Sequence, residues 1–576
     1  MRRFSAPIVL PFLAQLFPVL LLLLLSLVAC KRDAAPAAEP VAATPAPVAQ
    51  PTYTQGYVVE LAPAQTQAEL RAVVDDMFDN VVSVEPLFPD VAAADDPEGL
   101  SRIYRVRVGD APQGNAWDTA YALRDRGDFA QVEPDSEDTL VEAQKRSAVT
   151  ACMGDHGVPA PADPAWSLDA NHMAVIAARK LVPPPGGKAL GEGVRICHPD
   201  SGWTDHVDLD SGRIDRSASL NLMEPGVDAR DPLGYKGNPG HGTKTGSVLV
   251  SDGGFGASGG TTAPGKVTGL APKATLVPIR TFNSVIRVLD SNTARAVRHA
   301  TKAQCDVISM SLGGRAFFGL ERAINDAVRR DIIVVNAAGN CIGMVVAPAS
   351  YDNAIAVGAT NADNKPWKGS SKGRAVDISA PGEDVYVADA VAGRTGVEAS
   401  PGNGTSFATA AVAGAAADWI AFHGRARIKA AQGSLTRRDL FVQAMQASAR
   451  VPPDWDSNRY GAGILDLERL LRQPLGSPRT QLRAPPQDDT VNLLARTLDR
   501  EPADVRAGLQ RMLGAPVDFN ADLDRYGPEL IDLAMRDPEA FERALQPPQP
   551  GALQAPAAAL KPKASQTLGA RLQATP

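Results

Sequence analysis

The sequence predicts an α/β fold built on a mostly parallel sheet, preceded by a small α+β domain and followed by a small helical appendage. Three observations predict it. Between Trp166 and Leu471 short apolar runs (VRICH, ATLVPIR, CDVISMSL, DIIVVNA, AIAVGAT) alternate with helical stretches such as ARAVRHATKA and FGLERAINDAVRR. Continuous apolar strands separated by helices are the pattern of a parallel sheet covered on both faces. The run GTSFATAAVAGAAADWIAFHG is dense in Ala and Gly and has no polar face, so it reads as a helix buried against that sheet. At 576 residues the chain is also too long for one core.

The elements follow in order. The chain opens on basic MRRF, and an apolar run from Ile8 to Ala29 closes on Leu27-Val28-Ala29-Cys30. Residues 1–29 read as a signal peptide, and the small residues before Cys30 resemble a bacterial lipobox, in which that cysteine is lipidated and becomes the mature N-terminus. The run is about long enough for an uncleaved anchor, but Pro11, Gln15 and Pro18 inside it favour cleavage. Lys31, where Asp would stand otherwise, resembles the outer-membrane form of the signal. Residues 30–52 are an Ala/Pro-rich tether that cannot bury a core. From 53 to 141 the pattern is strand YVVEL, a helix around Leu70 to Phe78, strands VVSVEPLF and RIYRVRV, a helix around Trp117 to Arg126, and FAQVEPD, a small α+β sandwich. A polar connector over 142–165 contains Lys145-Arg146. Thr436 and Asp439 are spaced like a capping box ahead of another helix. Residues 472–488 form a second Pro-rich linker. DTVNLLARTL, PADVRAGLQRML and PELIDLAMRD predict short helices over 489–546, two of them with Pro at the first helical position. The Ala/Pro/Gln-rich tail, 547–576, is expected to be disordered. The net charge of -7, with both signs interspersed, gives no basic stripe for nucleic acid.

Three short motifs carry chemistry: Asp200-Ser201-Gly202, His241-Gly242-Thr243 and Gly404-Thr405-Ser406. Ser406, at the start of the buried helix, is the candidate nucleophile, because a hydroxyl placed there meets the positive end of the helix dipole. It needs a base, and His241 in GNPGHGT is the candidate. Asp200, ending a buried strand, would hold the imidazole in the right tautomer. Each alone has an ordinary structural explanation: an N-capping serine, a structural histidine, a turn aspartate. A silent binding protein that kept the fold is the competing class, and the intact set argues against it. No Gly-x-Ser-x-Gly elbow surrounds Ser406, which sets an esterase of that type aside.

The order Asp, His, Ser, together with SLGG and AAGN between the last two, resembles the subtilase family of serine peptidases. RYGAGILDLERLL resembles the usual end of its catalytic domain, so the resemblance covers about residues 53 to 471, with the catalytic domain over 166–471. It implies the three-layer subtilisin-like fold and an exported endopeptidase that cleaves polypeptides through an acyl-enzyme. It makes 53–141 a propeptide that assists folding and blocks the cleft until removed, with cleavage in the connector. Asn340 would join the Ser406 amide as oxyanion hole; Ser311, Leu312, Gly313 and Gly314 would form the cleft edge, and Ala337, Ala338 and Gly339 a wall of the specificity pocket. It places the strands of Cys197 and Cys305 side by side, which implies a disulfide there; Cys152 and Cys341 are then a second pair or buried free thiols. No cofactor is required. Calcium sites occur in the family, but Asp205, Asp208 and Asp210 in one loop do not make a case for one. The sequence departs from the family at Ala410 and Ala411, at Lys244-Thr245 in place of the usual His-Val, and at Cys341 after Asn340. The expected protein is a monomer held to the outer membrane only through Cys30, so removal of the propeptide would free a periplasmic or extracellular enzyme.

Overall fold

The computed structural model describes residues 56–109, 115–135, 152–154, 157–209, 211–253, 266–285, 290–390, 399–476, 490–514, 518–548 and 555–572. The signal segment, Cys30 and the first linker lie outside the described residues.

The first unit of secondary structure is a four-stranded antiparallel sheet. Strands β1 (Gly56–Glu60), β2 (Val81–Pro86), β3 (Ile103–Val108) and β4 (Gln131–Asp135) lie in the order β2-β3-β1-β4. Helices α1 (Gln67–Met77) and α2 (Ala116–Gly127) accompany it. α1 begins earlier than its apolar residues suggest because Thr66 and Glu69 form a capping box, the Thr66 amide donating to Glu69 Oε2 at 2.7 Å.

The second sheet has seven strands, all parallel, in the order β11 (Val376–Pro381), β10 (Ile355–Thr360), β9 (Ile333–Ala337), β8 (Val307–Met310), β5 (Arg195–Asp200), β7 (Thr275–Arg280), β6 (Leu220–Asn221). Residues along each strand alternate between two apolar clusters, as the pleat requires. Ile196, Leu276 and Val307 join α3 (His241–Val250) and α6 (Thr405–His423) on one face. Cys197, Val277 and Ile308 join α4 (Asp290–Lys302) and α5 (Phe318–Arg329) on the other. Every residue of α6 is buried, so this helix, long and apolar enough to cross a membrane, is spent on the core. A hairpin, β12 (Val385–Ala388) with β13 (Ala399–Gly402), stands just ahead of α6. The capping box at Thr436 and Asp439 is present and starts the helix Arg437–Ser448.

The C-terminal helices are α7 (Thr490–Leu498), α8 (Pro502–Leu513), α9 (Phe519–Arg536), α10 (Pro538–Leu545) and α11 (Gln566–Arg571). They share a single apolar cluster with the antiparallel sheet and with α4 and α5: Val58, Val297, Ile324, Leu509 and Phe541 all belong to it.

Two expectations need correction here. Pro528 does not start a helix; it lies inside α9. Proline has no N–H for the carbonyl of Asp524, one turn back, and Arg124 of α2 supplies the missing donor, Nη1 to that oxygen at 3.0 Å. The tail is not structureless over its described part, because residues 555–572 form a 3₁₀ turn, Pro556–Ala559, and α11. Leu560, Leu568 and Leu572 are buried there, three anchors that the Ala/Pro/Gln average conceals.

Candidate active site

Asp200 is the last residue of β5, at the C-terminal edge of the parallel sheet, and is completely buried. His241 is the first residue of α3, entered through Gly240 in the left-handed conformation (φ 76°). The start of α3 is held against the end of β5 by shared hydrogen bonds. The Ser201 hydroxyl donates to Asp231 Oδ2 at 2.7 Å and accepts from the Gly242 amide at 2.9 Å, while the Gly240 amide donates to the same Asp231 oxygen at 2.8 Å. A Cβ on Gly242 would stand 2.0 Å from the Gly202 carbonyl oxygen, so only glycine allows this approach.

The result is an imidazole seated on a carboxylate, His241 Nδ1 to Asp200 Oδ1 at 2.7 Å. The anion opposite fixes the proton on Nδ1 and leaves Nε2 as the basic nitrogen. Burial by itself would raise the Asp200 carboxyl, but the charge and hydrogen bond of His241, with those of His198, outweigh it and hold the group well below the usual carboxylate range.

Ser406 is the second residue of α6 and is 5% exposed. Its carbonyl accepts from the Ser311 hydroxyl at 3.0 Å. Asn340 follows β9, and its Oδ1 accepts from the Thr405 amide at 2.8 Å and the Thr405 hydroxyl at 2.7 Å. A backbone N–H can only donate, so the atom facing it is the amide oxygen, and Asn340 Nδ2 is left for another partner. A Cβ built on Gly404 would be 3.5 Å from that Nδ2 and 3.6 Å from Ser406 Cβ; amide and serine therefore converge on one spot. Among the described residues no hydrogen bond joins His241 to Ser406.

The profile of the subtilase family matches residues 191–463. Subtilisin BL of Lederbergia lenta is 35% identical over 230 residues, which span 39% of this chain and 76% of that protein. The chain belongs to the subtilase family. Alkaline elastase YaB of Bacillus sp. (strain YaB) is also 35% identical over 230 residues, and the chain spans 54% of its length. In fold it matches fervidolysin of Fervidobacterium pennivorans, a keratinolytic enzyme related to subtilisin, with a TM-score of 0.51 and 18% identity over 74% of this chain and 62% of that one. This subtilase is a subtilisin-like serine peptidase.

The other residues singled out from sequence sit around this centre. In the subtilase Ser311, Leu312, Gly313 and Gly314 run on from β8, and the amides of Gly313 and Gly314 donate to Val285 and Ala347 carbonyls at 3.2 and 2.9 Å. Ala337 ends β9; Ala338 is fully buried, and the Gly339 amide donates to Thr405 Oγ1 at 3.3 Å. Cys197 of β5 is bonded to Cys305, two residues ahead of β8, and Cys152 to Cys341. Of the loop acids, Asp205 pairs with Arg230 at 2.8 Å and Asp208 with Lys266 at 3.0 Å, while Asp210 lies outside the described residues. No group of three or more metal-ligating side chains occurs among the described residues.

The sequence reading passed over His198 and Asp231 and gave Ser201, though part of a named motif, no role of its own. A histidine two residues before the catalytic-type aspartate, on a strand otherwise buried and apolar, was the available signal.

Proposed function

We propose that this subtilase is the precursor of an exported serine endopeptidase with Asp200, His241 and Ser406 as its triad and Asn340 in its oxyanion hole. The observation that carries the reading is the 2.7 Å pair of Asp200 and His241, and what supports it further is a serine at the N-terminus of a buried helix. In the reaction Ser406 Oγ attacks the peptide carbonyl carbon while His241 Nε2 takes the hydroxyl proton. The contact between these two tightens when substrate closes on the site. The oxygen that becomes negative meets Asn340 Nδ2 and the Ser406 amide at the helix N-terminus. As the C–N bond breaks, His241 returns the proton to the leaving amine, and an ester on Ser406 remains. Water then attacks this ester by the same sequence in reverse and frees the acid. Asp200 stays ionised throughout and steadies the imidazolium. An extended peptide lies along Ser311–Gly314, with a side chain against Ala337–Gly339, a mode of pairing that reads main chain more than sequence.

Residues 53–141 act as the propeptide. β4 ends on Asp135, whose carboxylate accepts from the Ser291 amide at 3.2 Å and hydroxyl at 2.7 Å, so an anion caps the start of α4. The described chain resumes at Cys152, which is disulfide-bonded to the neighbour of Asn340. A maturation cut between Asp135 and Cys152 would thus separate the sandwich from the catalytic domain while leaving the new N-terminal segment tied beside the cleft. With lipid on Cys30, the same cut frees the enzyme from its anchor.

Fluorophosphonate labelling of the chain from residue 31, beside Ser406→Ala, tests this on one gel. A shortened, labelled wild type with a full-length, unlabelled variant is the expected result. A wild type that stays full length and unlabelled after limited proteolysis of the sandwich would refute it.

A further inference from the structure

His198 lies two residues before Asp200, hence on the same face of β5, and is 1% exposed. Its Nε2 stands 3.0 Å from Thr245 Oγ1 and 3.4 Å from Asp200 Oδ2. Thr245, on α3, in turn approaches that same Asp200 oxygen at 3.3 Å and the His241 carbonyl at 3.0 Å. The carboxylate therefore carries an imidazole on each side: His241 on Oδ1 and His198 on Oδ2.

Proton placement follows from the partners. If Nε2 of His198 were bare, its lone pair would face a carboxylate oxygen in a buried site, which is repulsive. With the proton on Nε2, the N–H is shared between Thr245 Oγ1 and Asp200 Oδ2, and the threonine hydroxyl is free to donate as well. We propose that His198 is a positioning residue for the catalytic pair: with Thr245 it satisfies Asp200 Oδ2 from behind, fixes the rotation of the carboxylate so that Oδ1 meets His241, and draws off part of its negative charge. It acts through Asp200 and does not touch the substrate. The inference rests on the peptidase reading for its catalytic consequence only.

Other charged groups stand on the neighbouring segments, and of these Asp231 accepts from the Ser201 hydroxyl and the Gly240 amide. Lys244 of α3 pairs with Asp389 at 2.8 Å, and Arg280 of β7 donates to Asn283 at 2.8 Å. β8 contributes only Val307, Ile308, Ser309 and Met310. A donor on Asp200 makes this carboxylate a weaker partner for the His241 imidazolium, so removing His198 raises the pH at which His241 protonates.

The test uses the full chain with Ser406→Ala, labelled with ¹⁵N-histidine, alone and with His198→Phe or His198→Gln added. The expected results are an Nε2-protonated His198 in the parent and, in the His198→Phe chain, a His241 Nδ1–H titration midpoint raised by about half a unit or more. The His198→Gln chain, whose amide can still donate, is expected between them. An Nδ1-protonated His198, or a His241 midpoint unmoved by His198→Phe, overturns the proposal. The first of these measurements needs no variant at position 198, so a misfolded His198→Phe chain does not rescue the idea. Neither needs turnover, whereas failure of the peptidase reading shows separately in the labelling of Ser406. In active protein, His198→Phe lowers kcat about tenfold, the weight of one hydrogen bond to a charged group, with KM unchanged and partial rescue by His198→Gln. A loss confined to KM, or an equal loss for Gln and Phe, counts against it.

Discussion

Tyr121 and Glu529, 408 residues apart in the chain, share a buried hydrogen bond, the phenol donating to Oε2 at 2.8 Å. It is one of several ties between α2 of the sandwich and α9. The Trp117 indole donates to Asp532 Oδ2 at 3.1 Å, and Arg525 pairs with Asp125 at 2.6 Å. Arg315 of the catalytic part completes the junction, with Asp290 at 2.6 Å, Asp532 at 3.4 Å and the Pro134 carbonyl at 3.0 Å. The C-terminal helices thus grip the sandwich through α2 and, by way of Arg315, beside the end of β4.

Loosening this grip should be measurable. Tyr121→Phe removes the phenol from a buried carboxylate that Ser565 also serves, its amide at 2.6 Å. In unprocessed Ser406→Ala chain the loss expected in urea unfolding is about 1–3 kcal/mol. After processing, the same change should speed departure of the sandwich in gel filtration. An unchanged dissociation rate would mean that α4 and α5 hold it alone.

The junction should also weaken as pH rises. Burial pushes the Glu133 carboxyl up to about 8, against the pull of Arg315, and Glu529 up to about 7. Both therefore hold a proton in the assembled state at pH values where, released to water, they would lose it. Assembly is fully favoured below the ordinary carboxyl range near 4.5 and loses stability as pH climbs through 7 to 8. Asp125, held low by Arg525, acts only at more acid pH. Sandwich dissociation followed from pH 5 to about 9 should accelerate, and Glu133→Gln should flatten the curve.

Asn340→Ala is expected to lower kcat by about 10² to 10³ and leave KM nearly unchanged, because in the proposed mechanism its amide meets charge that exists only in the transition state. Steady-state kinetics on a peptide p-nitroanilide checks it; a rise in KM with kcat intact would place Asn340 in binding instead.

Gly242→Ala should disconnect the Asp200–His241 pair without altering either residue. The new methyl, 2.0 Å from the Gly202 oxygen, forces α3 away from β5 at a cost of about 1–3 kcal/mol. Loss of the far-downfield His241 Nδ1–H signal, with Ser406 no longer labelled by fluorophosphonate, is the expected outcome.

Much of this was legible in sequence for a physical reason. The central strands are apolar on both faces, so runs such as DIIVVNA announce themselves, and Asp200, His241 and Ser406 each stand at a strand end or helix start with glycine close by. His198 did not announce itself, because a single histidine on a buried strand reads as core until Asp200 and Thr245 are seen beside it. Pro528 misled for a similar reason: only Arg124, distant in sequence, makes a proline tolerable in mid-helix. The ties of Trp117 and Tyr121 to α9 leave no local pattern at all.

One contact bears on the order in which the protein is made. Asp118, in the first turn of α2, receives the Gln566 and Thr567 amides, each at 2.9 Å, and so caps α11 from the other end of the chain. The sandwich is synthesised well before the helix that rests on this carboxylate, which follows 448 residues later. A nascent chain stalled before Gln566 would present the sandwich with its outer flank open, and one clipped there by another protease would return to that condition. The tightness with which the sandwich is held thus reports whether α11 has been made and kept intact.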